Sequence, residues 1–165
     1  MNDMKCPPRA LTIAGSDSGG GAGIQADLKT FQAFGCFGMS AVTALTAQNS
    51  QGVQGVFKIP AEFVARQIDS VLGDIGADAV KCGMLADSDI IEAVAAALER
   101  GGCPPLVLDT VLVAKSGDPL LEDRAVETMV RRLFPLAALV TPNIPEAERL
   151  TGRKIEGCQD MFEAA

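Results

Sequence analysis

Gly-Ser-Asp-Ser-Gly-Gly-Gly-Ala-Gly-Ile-Gln-Ala-Asp, from Gly15 to Asp27, lies between a short apolar run, Leu11 to Ala14, and a segment with helical periodicity. The run indicates a strand, the glycines a turn whose backbone N–H groups can face a ligand, and the following segment a helix that begins at that turn. We therefore expect a polar or anionic ligand just beyond the first strand. The alternative is a tight turn that needs glycine only for its backbone angles, although four glycines in five positions exceed what a turn requires.

The composition of the 165-residue chain excludes several classes of function. A formal charge of -7 argues against binding along a nucleic-acid backbone, which requires many lysine and arginine side chains. The absence of histidine excludes histidine-dependent catalytic triads and the common zinc sites. Five widely spaced cysteines with no Cys-x-x-Cys pair are typical of free thiols in a reducing compartment. With no apolar run near the roughly 20 residues that span a bilayer, the sequence predicts a soluble, cytoplasmic protein without a membrane partner.

Strand-like and helix-like segments alternate along the chain. The predicted strands are Arg9–Ala14, Phe37–Gln48, Val53–Ile59, Asp78–Cys82, Leu106–Leu108 and Leu136–Val140. The predicted helices are Gly23–Phe34, Ala61–Ile75, Asp89–Arg100, Glu122–Phe134 and one that opens with Glu146–Leu150, before the beginning of a further helix at the end of the chain. This alternation predicts a single α/β domain over residues 9–165, with a mostly parallel sheet and helices on both faces.

Ligands of such sheets gather beyond the carboxyl ends of the strands. We therefore expect the residues that follow the predicted strands to converge on one edge of the sheet, namely Gly15 to Asp27, Gln48 and Asn49, Met84, Asp109 to Gly117, and Asn143 to Glu146. Gly21 to Ala26 also matches the dinucleotide fingerprint G-x-G-x-x-G/A, but no Asp or Glu occurs from Leu28 to Phe57 to bind a ribose. A nicotinamide oxidoreductase is therefore a distant alternative, and no Walker P-loop is present.

The order of five motifs resembles the hydroxymethylpyrimidine/phosphomethylpyrimidine kinase family of the ribokinase-like superfamily. These motifs are Gly15 to Lys29, Thr46 to Ser50, Lys81 to Leu85, Asp109 to Gly117, and Thr141 to Glu148. The resemblance, which extends from Leu11 to Gly152, implies a three-layer fold and an ATP- and Mg2+-dependent enzyme of thiamine synthesis. Such an enzyme phosphorylates the hydroxymethyl group of an aminopyrimidine and then the resulting monophosphate. A homodimer is implied by the same family.

Gln48 is the principal candidate for reading the pyrimidine, because its amide offers a donor and an acceptor to a ring nitrogen and the adjacent amine. A surface glutamine at a strand end is the equal alternative. Asp27 is a candidate for holding the substrate's amine or hydroxyl, or else a first-turn carboxylate favoured by the helix dipole. Met84 is a candidate for packing on the ring, or else a core methionine. The resemblance adds Gly15 and Val111 to the substrate-binding set.

Asp109 is predicted to contact the metal, because it follows a wholly apolar strand where a charge is costly without a partner and Mg2+ would supply one. The resemblance adds Asn143 and Glu146, whose Asn-x-x-Glu motif organises metal and phosphates in the family. The alternative for Glu146 is a capping carboxylate at a helix start. Lys115 is a candidate phosphate contact, although a solvated lysine is the more ordinary interpretation.

The family pattern continues beyond Ala165, where its glycine-rich anion hole and candidate catalytic base would lie. We therefore name no catalytic residue and expect this chain to lack the C-terminal part of the fold. Three functions remain open: a pyrimidine kinase of which this is a part, a pyridoxine or pyridoxal kinase, and a short pyrimidine-binding module without turnover.

Overall fold

A computed structural model describes residues 6–112 and 121–165 of the chain. Its strands are β1 (Arg9–Ala14), β2 (Phe37–Val42), β3 (Ala44–Asn49), β4 (Gly52–Lys58), β5 (Ala79–Cys82), β6 (Leu106–Leu108) and β7 (Ala137–Val140). Its α-helices are α1 (Gly23–Ala33), α2 (Ala61–Asp74), α3 (Ser88–Arg100), α4 (Asp123–Arg132), α5 (Ile144–Thr151) and α6 (Cys158–Ala164), with a 3-10 turn at Phe134–Leu136. Five strands form a parallel sheet in the order β2-β1-β5-β6-β7, which confirms the predicted α/β class.

One face of this sheet carries the hydrophobic core. Alternate residues of neighbouring strands lie side by side on this face, as Ile13 does between Ala41 and Cys82. These side chains and the apolar stripes of α2, α3 and α4 form one buried cluster, with Ile68, Ile91 and Met129 fully buried. Strand alternation and helical periodicity therefore direct the same apolar residues into one layer between sheet and helices.

Helix α1 covers part of the opposite face. The step from β1 to β2 runs in the opposite direction to the later steps across the sheet, so right-handed crossovers place α1 opposite α2, α3 and α4. Asp27 of α1 accepts a hydrogen bond from Thr12 of β1, which confirms this contact. Helices on both faces were predicted and are present. None of the residues of α1 is fully buried, and Phe34, its C-cap residue, is 81% exposed.

The segment predicted as a single strand from Phe37 to Gln48 is two strands in two different sheets. Thr43 separates them: its N–H donates to Ala14 O (3.0 Å) and its hydroxyl to Met84 O (2.7 Å), at the carboxyl end of the parallel sheet. Beyond Thr43, β3 leaves that sheet and pairs antiparallel with β4. We call residues 44–58 the hairpin. The uniform apolar run gives no sign of this break, because Thr43 has the β propensity of its neighbours.

The other departures are at element ends. Helix α5 begins at Ile144, two residues before the predicted start, because Asn143 caps it. Helix α3 begins at Ser88, one residue before the predicted start, and Asp87 is its N-cap, with its carboxylate 3.0 Å from Ile90 N. Across the described ranges, no helix combines the length and apolarity that a membrane span requires.

Candidate functional site

The glycine-rich loop, residues 15–22, wraps around the carboxylate of Asp17. Asp17 Oδ1 accepts from Gly19 N (2.8 Å), and Oδ2 accepts from Gly21 N (2.9 Å) and Ala22 N (2.8 Å). Burial alone would raise the pKa of Asp17, but these backbone hydrogen bonds outweigh it and hold the pKa below its ordinary value. The expectation that these N–H groups face a ligand is therefore wrong, because the protein supplies the anion itself.

Two serines on either side of Asp17 attach the loop to β3. Ser16 Oγ accepts from Thr46 N (3.1 Å), and Ser16 O accepts from the Thr46 hydroxyl (2.8 Å). The Ser18 hydroxyl donates to Gln48 O and accepts from Gln48 N, both at 2.8 Å. The loop therefore lies alongside β3, and Ser18 fixes both the N–H and the C=O of Gln48.

Gly15 and Met84 meet at the start of this loop. Gly15 N donates to Met84 O (3.2 Å), and a Cβ atom on Gly15 would overlap the Met84 Cε methyl. Glycine at residue 15 is favoured by this close approach of a flexible side chain, and not by an unusual backbone angle. Gly15, Met84 and Gln48 are thus brought to the carboxyl edge of the sheet, as the sequence predicted.

The side chain of Gln48 is half-buried. Its Oε1 lies 3.3 Å from Thr46 Oγ1, whose single proton is donated to Ser16 O at 2.8 Å. Since this is the one contact described for its side chain, the amide retains both donor and acceptor capacity for a ligand.

Asp27 lies against the sheet, and both of its described contacts are to Oδ2. The hydroxyl of Thr12 donates to it at 2.6 Å, and Lys81 Nζ lies 3.2 Å away. Thr12 and Lys81 are direct neighbours on β1 and β5. The described contacts of Asp27 are therefore with side chains of the sheet, close to the edge where Gln48 and Met84 lie.

Asp109 follows β6 directly and has a partner within the protein. Its Oδ2 lies 3.4 Å from Lys81 Nζ, so Lys81 is placed between Asp27 and Asp109. Lys81 therefore supplies a partner of the kind that the sequence analysis expected Mg2+ to supply. Its side chain is nevertheless 38% exposed at the carboxyl end of the strand, where a metal or a metal-bound water can reach it.

Glu146 is buried, with 4% exposure, beside the segment that follows β6. It accepts from Thr110 Oγ1 (3.1 Å), Leu112 N (3.2 Å) and Asn143 N (3.0 Å), while Asn143 Oδ1 accepts from Glu146 N (3.0 Å). This is a capping box, the alternative interpretation of the Asn-x-x-Glu motif. Through Thr110, Glu146 lies at the same edge of the sheet as Asp109.

Val111 is half-buried beside Asp109, and its N–H donates to Asp109 O at 2.9 Å. Lys115, the predicted phosphate contact, lies outside the described residues. Two surface grooves, of about 320 and 370 Å3, lie along α4 and contain none of the predicted site residues. Within residues 6–112 and 121–165, no group of three Cys, Asp or Glu side chains is arranged to hold a metal ion.

Sequence reasoning missed the residues that hold this edge together: Ser16, Asp17, Ser18 and Lys81. The alternation Ser-Asp-Ser is itself a signal, because in an extended segment it directs both hydroxyls to one side and the carboxylate to the other. Lys81 gave a weaker signal as a lone charge within the otherwise apolar β5.

Comparisons with known proteins find similar sequences and similar folds. Residues 17–165 match the profile of the family described as phosphomethylpyrimidine kinase. The chain is 59% identical over 141 residues to a hydroxymethylpyrimidine/phosphomethylpyrimidine kinase of Salmonella typhimurium, an alignment that covers 86% of this chain and 53% of the relative. The crystal structure of a phosphomethylpyrimidine kinase from Clostridium difficile superposes with a TM-score of 0.90 at 49% identity, covering 95% of this chain and 68% of that one.

A more distant similarity is to a Bacillus subtilis pyridoxal kinase solved as an ADP complex. Its TM-score is 0.86 at 42% identity, covering 96% of this chain and 61% of that structure. The chain spans about half the length of the curated relatives it matches.

Proposed function

Because this chain belongs to the phosphomethylpyrimidine kinase family, we propose that it provides the substrate side of an ATP- and Mg2+-dependent kinase of thiamine biosynthesis. The kinase phosphorylates 4-amino-5-hydroxymethyl-2-methylpyrimidine and then its monophosphate. Residues 9–165 supply the ring-binding edge of a single ribokinase-like domain. The protein acts in the cytoplasm, without a nucleic-acid or membrane partner.

One observation carries this proposal: the glycine-rich loop, β3 and Met84 converge at the carboxyl edge of a parallel sheet. Gly15 is hydrogen-bonded to Met84, and Ser18 is hydrogen-bonded to Gln48. In this arrangement Met84 packs on the pyrimidine ring and the Gln48 amide pairs with the ring nitrogen and the exocyclic amine. Val111 closes the substrate site beside Asp109. Asp27 affects the substrate site indirectly: it holds Lys81, and Lys81 in turn pairs with Asp109 at the edge of the sheet.

Asp109 is the carboxylate that fits a magnesium ion. A carboxylate offers about four acceptor positions, and Glu146 already accepts three hydrogen bonds while buried. Asp109 is paired with one lysine and half-exposed, which suits an ion that retains several waters and takes one or two carboxylates. We assign Asp109 to the metal or its water and Glu146 to holding the Thr110 hydroxyl and the Leu112 N–H. Asn143 and Lys115 are the residues that we assign to contacts with the phosphates of ATP.

Bound magnesium supplies charge neutralisation for the transferred phosphoryl group. The described residues orient the acceptor: Gln48 and Met84 fix the ring, so that its hydroxymethyl group lies toward the ends of β5 and β6. Lys81 keeps Asp109 at that edge. Groups that stabilise the moving phosphoryl group are not assigned within this chain.

Calorimetric titration with 4-amino-5-hydroxymethyl-2-methylpyrimidine tests the substrate assignment. The substitution Gln48→Leu should weaken binding by roughly 1 to 3 kcal/mol, because the ring's polar groups lose their partner. Gln54→Leu is the matched control, since Gln54 is an exposed glutamine on the other strand of the same hairpin. Equal affinities for the wild type and Gln48→Leu would remove Gln48 from the site.

A pyridoxal kinase is the second candidate, favoured by the similarity to the Bacillus subtilis enzyme. The same titration with pyridoxal separates the two, because tighter binding of pyridoxal would reverse the assignment. A phosphorylation assay with ATP, performed on this chain and on a chain extended to the length of its relatives, separates a kinase from a binding module. Pyrimidine binding without product in either form would support the module.

We also propose that the hairpin is the interface of a homodimer. Leu45 and Phe57 are paired across β3 and β4 and are 48% and 66% exposed, on the side turned away from Thr46 and Gln48. Two strands alone are marginally stable in water, so a second copy that covers this pair would support them. Sedimentation of the wild type and of Phe57→Ser tests this, with a shift from dimer to monomer expected for the variant.

A further inference from the structure

The glycine-rich loop encloses an anion that belongs to the protein. Asp17 is 5% exposed and its carboxylate accepts from three successive parts of the loop, Gly19, Gly21 and Ala22, at 2.8 to 2.9 Å. Gly20 N closes the turn by donating to Asp17 O at 2.9 Å. Converging backbone N–H groups of this kind are what proteins otherwise use to bind phosphate or carboxylate ligands.

Three of the glycines, Gly19, Gly20 and Gly23, are required by the shape of this loop, whereas a Cβ atom on Gly21 would have ordinary room. A Cβ atom on Gly19 would lie 3.1 Å from Asp17 Oδ1, tighter than an ordinary contact, and Gly20 has a φ of +75°. Gly23 has a φ of +55°, and a Cβ atom there would overlap Gly15 O. Gly19 therefore makes room for the Asp17 carboxylate, and Gly20 and Gly23 provide the backbone angles that let the loop fold around it.

Asp17 also completes the start of α1, which lacks its own cap. The N-cap residue is Ala22, no side chain within the helix caps it, and its first turn contains no acidic residue. Asp17 Oδ2 accepts from Ala22 N from outside the helix and places a negative charge at the positive end of the helix dipole. The backbone N–H of Asp17 is fixed in turn by Gln25 Oε1 of α1 at 2.8 Å.

Ser16 and Ser18, on either side of Asp17, connect the loop to β3 by hydrogen bonds. Ser18 engages both the N–H and the C=O of Gln48, and Ser16 engages Thr46. Asp17 thus holds the loop between these two serines and is connected to the backbone of Gln48 through Ser18, although the two side chains do not meet in any described contact.

We propose that Asp17 is a positioning residue for the pyrimidine site: its carboxylate replaces a bound anion inside the loop, and the loop so shaped holds Gln48 in register through Ser18. This inference rests on the proposed function for the role of Gln48. It also assigns the loop a selectivity, since donors already occupied by a carboxylate are not available to a substrate phosphate, so phosphate must bind beyond the loop.

Replacing the internal anion by an external one tests the proposal. In the full chain carrying Asp17→Ala, exchange of the Gly19, Gly21 and Ala22 amide protons, measured by NMR, should accelerate by at least about tenfold, and the Kd for the hydroxymethylpyrimidine should rise by a similar factor. Sodium formate offers the same carboxylate and should restore both amide protection and affinity toward wild-type values. Sodium chloride at equal ionic strength is the control and should restore neither.

Ser18→Ala is the second variant, in case Asp17→Ala does not fold. Ser18 is exposed, and its substitution leaves the contacts of Asp17 in place. It should weaken pyrimidine binding by about three- to tenfold while the three loop amides keep wild-type protection. Unchanged affinity in Ser18→Ala would overturn the link to Gln48.

The outcomes also separate this inference from the proposed function. If wild-type protein binds the pyrimidine and Asp17→Ala binds it equally well, the inference is wrong and the proposed function stands. If wild-type protein does not bind the pyrimidine, the proposed function fails, and the formate response of the loop amides still decides whether Asp17 acts as an internal anion. Amides that are unaffected by both the substitution and formate would overturn it.

Discussion

The ammonium group of Lys81 lies 3.4 Å from the carboxylate of Asp109, at the point where β5 and β6 reach the carboxyl edge of the sheet. The same nitrogen lies 3.2 Å from Asp27, so one cation joins α1 to the end of β6. A Cβ atom on Gly83 would lie 2.8 Å from this nitrogen, so the glycine leaves room for it. The predicted metal carboxylate is thus held by the sheet before any metal binds.

Substituting Lys81→Met should lower the free energy of unfolding by about 1 to 2 kcal/mol. The substitution leaves two partly buried carboxylates facing each other without a cation, while their partial exposure reduces the cost below that of a fully buried pair. Denaturation by urea measures the loss. Lys154→Met is the control: Lys154 pairs with Glu156 in an exposed ion pair, and its loss should change stability by less than about 0.5 kcal/mol. Equal effects of the two substitutions would contradict the structural role of Lys81.

Gly15→Ala should destabilise the protein through Met84. The added methyl would overlap the Met84 Cε methyl, the far end of a flexible side chain that can turn aside. We therefore expect a loss of only about 0.5 to 1 kcal/mol in the free energy of unfolding, the cost of moving Met84 from its rotamer. In a Met84→Ala background the same substitution should cost less than about 0.5 kcal/mol, because the overlap is removed. A double-mutant cycle in urea measures this coupling, and additive costs would show that the two residues are not in conflict.

Gly73→Ala is the matched control for a glycine substitution. Gly73 lies in α2, is exposed, and has no atom within 4 Å of an added Cβ. It should stabilise the protein by about 0.5 kcal/mol, because alanine favours the helix over glycine.

Glu146→Gln should cost about 1 to 3 kcal/mol of unfolding free energy. The carboxylate accepts hydrogen bonds from Asn143, Thr110 and Leu112. An amide has one acceptor oxygen, and its NH2 group would face at least one of these donors, which would then stay buried without an acceptor. Thermal and urea denaturation measure the loss, with the exposed Glu127→Gln on α4 as the control. A destabilisation no larger than that of the control would show that the capping box contributes little.

The sequence alone was sufficient for the class of fold and for the convergence of its motifs, since both follow from local periodicity and from the rule that parallel strands end at one edge. It was insufficient where contacts depend on register between distant segments. Lys81 and Asp27 are 54 residues apart, and the contact exists because Thr12 and Lys81 are paired across β1 and β5. Strand pairing of this kind is set by the assembled sheet.

The loop and the strand break show a second limit. Residues 19–23 were interpreted as donors for a ligand, yet the decisive acceptor, Asp17, stands only two residues earlier and was available to the same reasoning. Thr43 is different, because threonine is common within strands and nothing in the sequence around it marks the end of one. Its role follows from Ala14 O and Met84 O, which accept its hydrogen bonds only once β1 and β5 are adjacent.

Acid should weaken the contact between Arg9, at the start of β1, and Asp78, the residue before β5. Arg9 donates to Asp78 from its guanidinium, at 2.7 Å from Nη2 and 3.2 Å from Nε, and also from its backbone N–H at 2.8 Å. The side-chain hydrogen bonds from Arg9, with those of its backbone, lower the pKa of Asp78 from 3.8 to about 2. The unfolded chain therefore takes up this proton at a higher pH than the folded protein does.

The stabilisation from Asp78 is accordingly complete above about pH 5 and should be lost as the pH falls from about 4 to 2. Asp78→Asn isolates it from the titration of other carboxylates: the difference in unfolding free energy between wild type and variant should be constant from pH 5 to 7 and shrink steadily below pH 4. Urea denaturation at each pH measures this difference, and Arg9→Met should show the same trend because it removes the other partner. A difference that persists unchanged at pH 2 would mean that the Arg9–Asp78 pair does not lower the pKa of Asp78 in the folded protein.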